Sequence, residues 1–419
     1  EIPEEDSITE EEETAGPRQD IYGRISVASY SNFSNEDAAN NQRLRYRFQL
    51  NAKNMSGSKL SFESYVSFSH SNKDWEEIQN NVFEGLKIYN LNLNYDFNED
   101  MQLWFGRKIN PRISSLGAID GLQFEKTFNN ITAGVIAGSR PDYTDYSFNT
   151  GLFQAGAYFS HQKRLENGFI QSSLAFVEQM NQWNTDRRFL YFQHSNRLIK
   201  NLYFFGSGEV DLYRKVNDQK ESTFNLSNLY LSLRYRMFRQ LSLSLSYSAR
   251  DNLIYYESYD KTFIEKLLET ESMQGFRLAA NYRPFKNISI GARAGYRYRG
   301  DDARPSRNLY TYIYFSRIPL LNMAATVNAT FLESSYIKGT IYGARLSKNL
   351  LKRKLFAGLG YRNVDYGFYD YETSIAQHIL QADINWRILQ KLFLSVNYEA
   401  TLEDEVTFHR LYLSLTQRF

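Results

Sequence analysis

The chain contains no cysteine. That absence excludes a disulfide framework, a thiolate metal site and a lipidated N-terminal cysteine. Only 7 prolines occur in 419 residues, so long strands can run uninterrupted. No run of about 18 apolar residues exists, so no transmembrane helix is available. The chain starts at Glu1 rather than Met and opens on no charged leader with an apolar stretch. Removal of a signal peptide from a longer precursor is the expectation. Neither sign of charge dominates: the formal net charge is +2, which gives no bulk attraction for nucleic acid.

Catalytic signatures are missing too. The histidines are His70, His161, His194, His378 and His409. They form neither His-x-x-x-His nor His-Glu-x-x-His, and no Gly-x-Ser-x-Gly or phosphate-binding Gly-x-x-x-x-Gly-Lys-Ser/Thr occurs. His378 and His409 fall on apolar faces near strand ends, where an interfacial position accounts for them. The expectation is a protein with no catalytic residues, no metal and no cofactor.

What the chain does have is aromatic residues and alternation. Phe, Trp and Tyr make up 16% of it, with 32 tyrosines and 30 phenylalanines. Leu229, Leu231, Leu233, Tyr235 and Met237 alternate with Asn228, Ser232, Arg234 and Arg236. After Phe238 to Gln240, Leu241 to Ala249 alternate with Ser242, Ser244, Ser246, Ser248 and Arg250. Leu44 to Leu50 oppose Arg43, Arg45, Arg47 and Gln49. Leu91 to Phe97 oppose Asn90, Asn92, Asn94 and Asp96. Ile288 to Tyr298 oppose Ser289, Arg293, Arg297 and Arg299. Leu392 to Ala400 oppose Ser395, Asn397, Glu399 and Thr401. Period two puts one set on each face of a strand. Many runs reach about ten residues, the length a tilted membrane strand needs and longer than a typical sandwich strand. A mean hydropathy of −0.53 is compatible with this, because half of each such strand faces a polar lumen. Trp104 and Trp386 sit towards run ends, as interfacial girdle residues would.

The connections sort into two alternating classes. Short ones include Met55 to Ser58, Asn98 to Asp100, Asn129-Asn130, Ile199 to Asn201, Phe238 to Gln240, Pro284 to Asn287, Ser347 to Lys354 and Leu389 to Lys391. Longer ones, rich in acids, Asn and Tyr, are Ser34 to Asn41, Asn72 to Asn81, Ser139 to Asn149, Asn217 to Thr223, Asp251 to Met273, Asp301 to Arg307 and Asp365 to Thr373. Short turns belong on the periplasmic side and long loops outside, which also puts both termini on the periplasmic side. The fold expected is an all-β, transmembrane, antiparallel up-and-down β-barrel of about 22 strands, within an even range of about 16 to 24.

The last strand, Phe408 to Phe419, resembles the C-terminal β-signal of bacterial outer-membrane proteins. Leu411, Leu413, Leu415 and the terminal Phe419 match its alternating apolar pattern; Gln417 stands where an apolar residue is usual. The Asn- and Tyr-rich, cysteine-free composition is similar to that of Bacteroidota outer-membrane proteins. The resemblance covers residues 20–419 at the level of architecture. It implies localisation in the cell outer membrane of a Gram-negative bacterium, contact with outer-membrane lipid, and recognition by the barrel assembly machinery during biogenesis.

Two regions follow: an acidic tail, residues 1–20, and a barrel, residues 21–419. Glu4 to Asp6 and Glu10 to Glu13 show no apolar period and read as a disordered periplasmic tail. That segment is too short for the folded plug that barrels of this size commonly hold. The lumen is then open, or filled by side chains, loops or another protein.

On the polar faces Arg43, Arg45, Arg47, Arg107, Arg234, Arg236, Arg250, Arg277, Arg293, Arg297, Arg299 and Arg387 are expected to point inward. Glu63, Glu125, Glu209, Asp211, Asp383 and Glu399 are expected to share that side. The principal lumen-lining candidates are Arg43, Arg45, Arg47, Arg234, Arg236, Arg293, Arg297, Arg299, Glu63 and Glu399. They act either as paired ladders bracing the wall or as a path attracting anions. Thr262 to Glu269 has a helical period, and as a short helix it would constrict the pore, meet a partner or lie on the surface. The Tyr-rich stretches Pro141 to Phe148 and Asp365 to Tyr371 are aromatic enough to hold a sugar or a protein, or to sit at the interface. Two functions stay open: a porin-like channel for small polar solutes, anionic ones among them, and a structural or assembly subunit of a multiprotein outer-membrane complex. In the second, the acidic tail or Tyr-rich loops would hold other envelope proteins.

Overall fold

The computed structural model describes residues 19–35, 40–142, 145–216, 219–250, 273–300, 302–369, 374–404 and 406–419. The first eleven strands are β1 (Asp20–Ser34), β2 (Asn41–Lys53), β3 (Leu60–Ser71), β4 (Leu86–Asn98), β5 (Met101–Ile109), β6 (Ala118–Phe128), β7 (Ile131–Ser139), β8 (Leu152–Leu165), β9 (Gly168–Asn181), β10 (Asn184–Asn196) and β11 (Leu202–Val216). The other eleven are β12 (Gln219–Arg236), β13 (Leu241–Arg250), β14 (Met273–Phe285), β15 (Ile288–Arg299), β16 (Ser306–Ile318), β17 (Met323–Glu333), β18 (Ile337–Leu350), β19 (Leu355–Phe368), β20 (Ser374–Arg387), β21 (Leu392–Glu403) and β22 (Val406–Arg418). Helices α1 (Trp75–Asn80) and α2 (Val82–Gly85) lie between β3 and β4.

Each strand pairs antiparallel with its sequence neighbours. β22 closes the circle on β1, with Val27 opposite Leu415 and Ser31 opposite Leu411. Closure leaves no free sheet edge. At the seam Gly23 and Phe419 exchange backbone hydrogen bonds of 3.2 and 3.1 Å. A Cβ on Gly23 would stand 2.5 Å from both the Phe419 ring and the Gln49 carbonyl. Only glycine lets the last residue lie flat across the seam.

The alternation acts as the sequence pattern requires. One face of the cylinder is an apolar belt of exposed side chains, including Ile25, Phe105, Leu122, Phe159, Leu245, Leu278 and Leu359. The other face carries the polar rows. The start of β1 at Asp20 and the end of β22 at Arg418 lie at one end, with the hairpins Asn129-Asn130 and Lys286-Asn287; this is the turn end. Asn129 has φ 53°, the left-handed conformation a two-residue hairpin favours.

At the opposite, loop end the connections are not uniformly long. Gln182-Trp183 is a two-residue hairpin with φ 48° and 65°, matching the twist of its strands. Strand pairing also continues past the apolar runs, since ladder bonds do not depend on side-chain polarity. β12 already starts at Gln219, and β19 runs to Phe368 with Asp365 opposite Ala376. Asp365 to Phe368 is therefore strand, not loop. The tail, apart from residues 19 and 20, and the 262–269 segment lie outside the described residues.

Candidate functional site

The polar face of β5 to β11 is not an open lumen surface. Ile119, Ile136, Tyr158, Ala175, Val177, Phe189 and Tyr191 pack there as an internal apolar core. Ile113 and Leu116 complete it from the β5–β6 connection. The Pro111–Leu116 segment is thus folded into the barrel against its inner wall. Gly134 makes room for this, because a Cβ would stand 2.2 Å from the Tyr158 ring.

Charges on this wall are buried in pairs. The Tyr158 hydroxyl donates to Glu125 and accepts from Asn110 Nδ2 at 2.8 Å, while Arg112 reaches Glu125 at 3.3 Å. These bonds bolt the folded-in segment to β6 and β8. Arg187 bridges Glu209 at 2.8 Å and Asp211 at 2.7 Å, and its guanidinium lies 4.0 Å from the centre of the Phe189 ring. Lys108 meets Glu63 at 3.3 Å, and Asn90 and Asn92 donate to the same carboxylate.

A second cover comes from the β7–β8 connection. Arg107 is only 1% exposed: it holds Asp120, donates to the carbonyls of Ile88 and Tyr146 at 2.7 Å, and lies under the rings of Tyr146 and Phe148. Asp145 ties this connection down through Asn81 at 3.3 Å and the Ser147 amide at 2.8 Å, while Lys87 binds its carbonyl at 2.6 Å. Burial works to raise the Asp145 carboxyl. Hydrogen bonds from Ser147 and Asn81 and the charge of Lys87 outweigh it and hold the group below the usual aspartate range.

The wall from β18 to β22 is intermediate. Arg345 pairs with Asp383 across Gly358, where a Cβ would strike both groups. Glu399 receives Arg362 at 2.9 Å, Arg410 at 3.1 Å and Gln381 at 2.7 Å.

Strands β13 to β16 are different again. They contain no aspartate or glutamate. Arg277, Arg293 and Arg297 share the inner face with serines, glycines and tyrosines: Arg277 lies opposite Ser246 and Gly295, Arg293 opposite Tyr310, and Arg297 opposite Gly275. Arg234 and Arg236 of β12, opposite Ser244 and Ser242, continue the row to the turn end. Arg299 and Arg250 stand at the loop end. Three cavities follow this row: about 750 Å³ beside Arg234, Arg236 and Arg283; about 550 Å³ beside Arg277 and Arg293; and about 430 Å³ beside Arg297. Among the described residues, none of Arg234, Arg236, Arg277, Arg293 and Arg297 forms a salt bridge. Neither do Arg43, Arg45 and Arg47 of β2, which lie opposite Ser71, Ser69 and Ser67. Arg45 rests 5.1 Å from the Tyr30 ring centre.

The lumen-lining candidates therefore divide. Glu63 and Glu399 are held in ion-pair networks, and Arg43, Arg45, Arg47, Arg234, Arg236, Arg293 and Arg297 form no salt bridge among the described residues. Two expectations need correcting. Arg107 is sealed inside protein. Trp104 is no girdle residue: it is buried opposite Gln123 under the Lys108 ammonium, while neighbouring Phe105 takes the outward position. Trp386 is on the outward row, opposite Leu394.

Sequence reasoning missed the folded-in Pro111–Leu116 segment. A signal was present. Val135-Ile136 and Leu174-Ala175-Phe176-Val177 are apolar on both faces, which requires a cover on the inside as well. It also missed that cross-strand register brings Ser172 Oγ to His194 Nδ1 at 2.8 Å, with Asn196 at the other ring nitrogen. His378 and His409 each meet a tyrosine hydroxyl on the neighbouring strand, Tyr361 at 2.7 Å and Tyr398 at 2.8 Å. Among the described residues no group of three or more His, Asp or Glu is arranged to hold a metal.

No family model matches the chain, and no curated protein matches it in sequence. Solved structures do match in fold. A mutant of the ferric enterobactin receptor PfeA of Pseudomonas aeruginosa, in complex with enterobactin, aligns with a TM-score of 0.58 at 10% identity, over 95% of this chain and 81% of the receptor. The translocation pore of the P pilus usher PapC aligns with a TM-score of 0.53 at 10% identity, over 95% and 99% of the two chains. The likeness is one of architecture: a closed barrel of the bacterial outer-membrane type.

Proposed function

We propose that the chain is an outer-membrane channel for small polar anions. The carrying observation is that strands β13–β16 bear no carboxylate and that Arg277, Arg293 and Arg297 on their inner face, with Arg234 and Arg236, form no salt bridge among the described residues. The outward apolar belt supports a lipid location, because only acyl chains cover so continuous a surface at no cost. The barrel architecture supports the outer membrane in particular. Water keeps the arginines solvated, so their charge needs no protein partner and its field reaches into the lumen over about 8 Å at physiological salt. A wall of one sign concentrates solutes of the other.

Purified barrel in a planar bilayer under a KCl gradient tests this. The expected result is a stepwise current whose reversal potential shows anion preference. Combined Arg234→Gln, Arg293→Gln and Arg297→Gln substitution should move the reversal potential towards zero with the barrel still folded. A silent bilayer would overturn the channel and favour a structural subunit of an outer-membrane complex, to be sought among co-purifying envelope proteins.

A further inference from the structure

Midway along the open sector, the wall is hollowed. The inner face of β15 reads Ser289, Gly291, Arg293, Gly295. A Cβ on Gly291 would stand 2.2 Å from the Tyr312 ring, and one on Gly295 would stand 2.1 Å from Asn308 Oδ1. The glycines let that ring and that amide lie down on β15. Tyr310, Tyr312 and Tyr314 follow one another on the inner face of β16, opposite Arg293, Gly291 and Ser289. The rings of Tyr310 and Tyr312 are 5.9 Å apart and tilted by 34°. The Tyr312 hydroxyl donates to Asn281 Oδ1 at 2.9 Å, which fixes its ring. Arg293 lies 5.8 Å from the Tyr310 ring centre, and Arg277 opens onto the same hollow of about 550 Å³.

We propose that this hollow is a binding subsite for an acidic sugar, a pyranose ring bearing a carboxylate. This rests on the channel reading for its access route and names the class of solute. Each part of the chemistry has its counterpart. Tyrosine faces take the apolar face of a ring. Asn308 and the tyrosine hydroxyls answer ring hydroxyls, which an aromatic acid lacks. The guanidiniums of Arg277 and Arg293, unpaired among the described residues, take a carboxylate in their planar fork. An inorganic anion would use the arginines and leave the tyrosine ladder idle. The volume lies within the range of about 300–1,000 Å³ typical of small-molecule sites. Binding must be weak, because a channel site has to release what it takes.

Saturation-transfer NMR on detergent-purified barrel, with glucuronate, glucose and benzoate as probes, tests the subsite without needing a current. Glucuronate should give ring-proton signals, with glucose and benzoate each weaker by about tenfold or more, as loss of charge-assisted or hydroxyl hydrogen bonds predicts. Arg293→Gln should weaken glucuronate by a similar factor. Gly291→Val, which puts a branched side chain where Tyr312 rests, should abolish its signal, with heat-modifiable gel mobility showing the variant is folded. Equal binding of glucose, equal binding of benzoate, no glucuronate signal, or a signal unchanged in Arg293→Gln would each overturn the proposal. A conducting barrel that ignores glucuronate sinks the subsite and spares the channel; a silent barrel that binds it does the reverse.

Discussion

The inner walls of β6–β11 and of β13–β16 share one architecture and use it in opposite ways. On the first, Arg187 is bracketed by Glu209 and Asp211, Arg112 reaches Glu125, and an apolar core excludes water. On the second, Arg277, Arg293 and Arg297 face a hollow with no carboxylate on their strands. The cover makes the difference. Where Pro111–Leu116 folds in, a charge loses its water, and only a partner in the protein can offset the loss. Where no described residue covers the wall, water solvates each guanidinium and carboxylates on the strands are unnecessary. They would even be counterproductive, because they would cancel the field that a selective lumen needs.

The largest expected effect tests that contrast directly. Arg187→Leu leaves Glu209 and Asp211 buried without a counter-charge and should destabilise the barrel by about 3–5 kcal/mol. Arg293→Gln removes a solvated charge and should change stability by no more than about 0.5 kcal/mol. Equilibrium unfolding in urea, followed by tryptophan fluorescence in detergent, reads both. Similar midpoints for the two variants would mean that the covered and uncovered walls do not differ as described.

Next in size is the bolt on the cover itself. Tyr158→Phe removes the hydroxyl shared by Glu125 and Asn110 and leaves Gly134 roofed by a bare ring. The expected cost is about 1–3 kcal/mol, since buried polar groups lose a partner. Proteolysis should then cut near Asn110 to Gly117, and bilayer current should rise as the segment leaves the wall. Protection equal to that of the unchanged chain would show that apolar packing alone holds the segment.

The two walls were not equally legible. On the open one the alternation was legible: Arg293, Arg297 and Arg299 against Ile290 and Tyr296 is a period-two pattern, while whether carboxylates neutralise those arginines depends on cross-strand partners. Period two is set by the backbone, so it survives translation into structure. The sealed wall depends on which segments meet across the barrel. Nothing local in Asn110 to Gly117 says that it turns inward, and Arg187 finds Glu209 and Asp211 only once β10 and β11 are in register. Arg107 illustrates the limit. Its type and position fit a lumen charge, yet Tyr146 and Phe148, some 40 residues on, bury it.

The smallest effect expected concerns that second cover and depends on pH. Asp145 holds the β7–β8 connection through Asn81 and the Ser147 amide, and its carboxyl is held below the usual range. A group whose pKa is lowered by folding contributes stability above its unfolded value, about 3.9 for aspartate, and loses it as pH falls through the lower folded value. Between pH 7 and pH 5 the connection should therefore stay closed over Arg107. Further acidification should loosen it, seen as faster hydrogen exchange at amides 145–151. Asp145→Asn removes the titrating group, so its exchange should lack the acid step. Strand β10, whose Phe189 and Tyr191 lie in the apolar core, shows whether the opening stays local. If exchange in β10 accelerates in the same acid step as amides 145–151, the two covers are one cooperative unit. If only the β7–β8 connection responds, the sealed wall is closed by two independent covers.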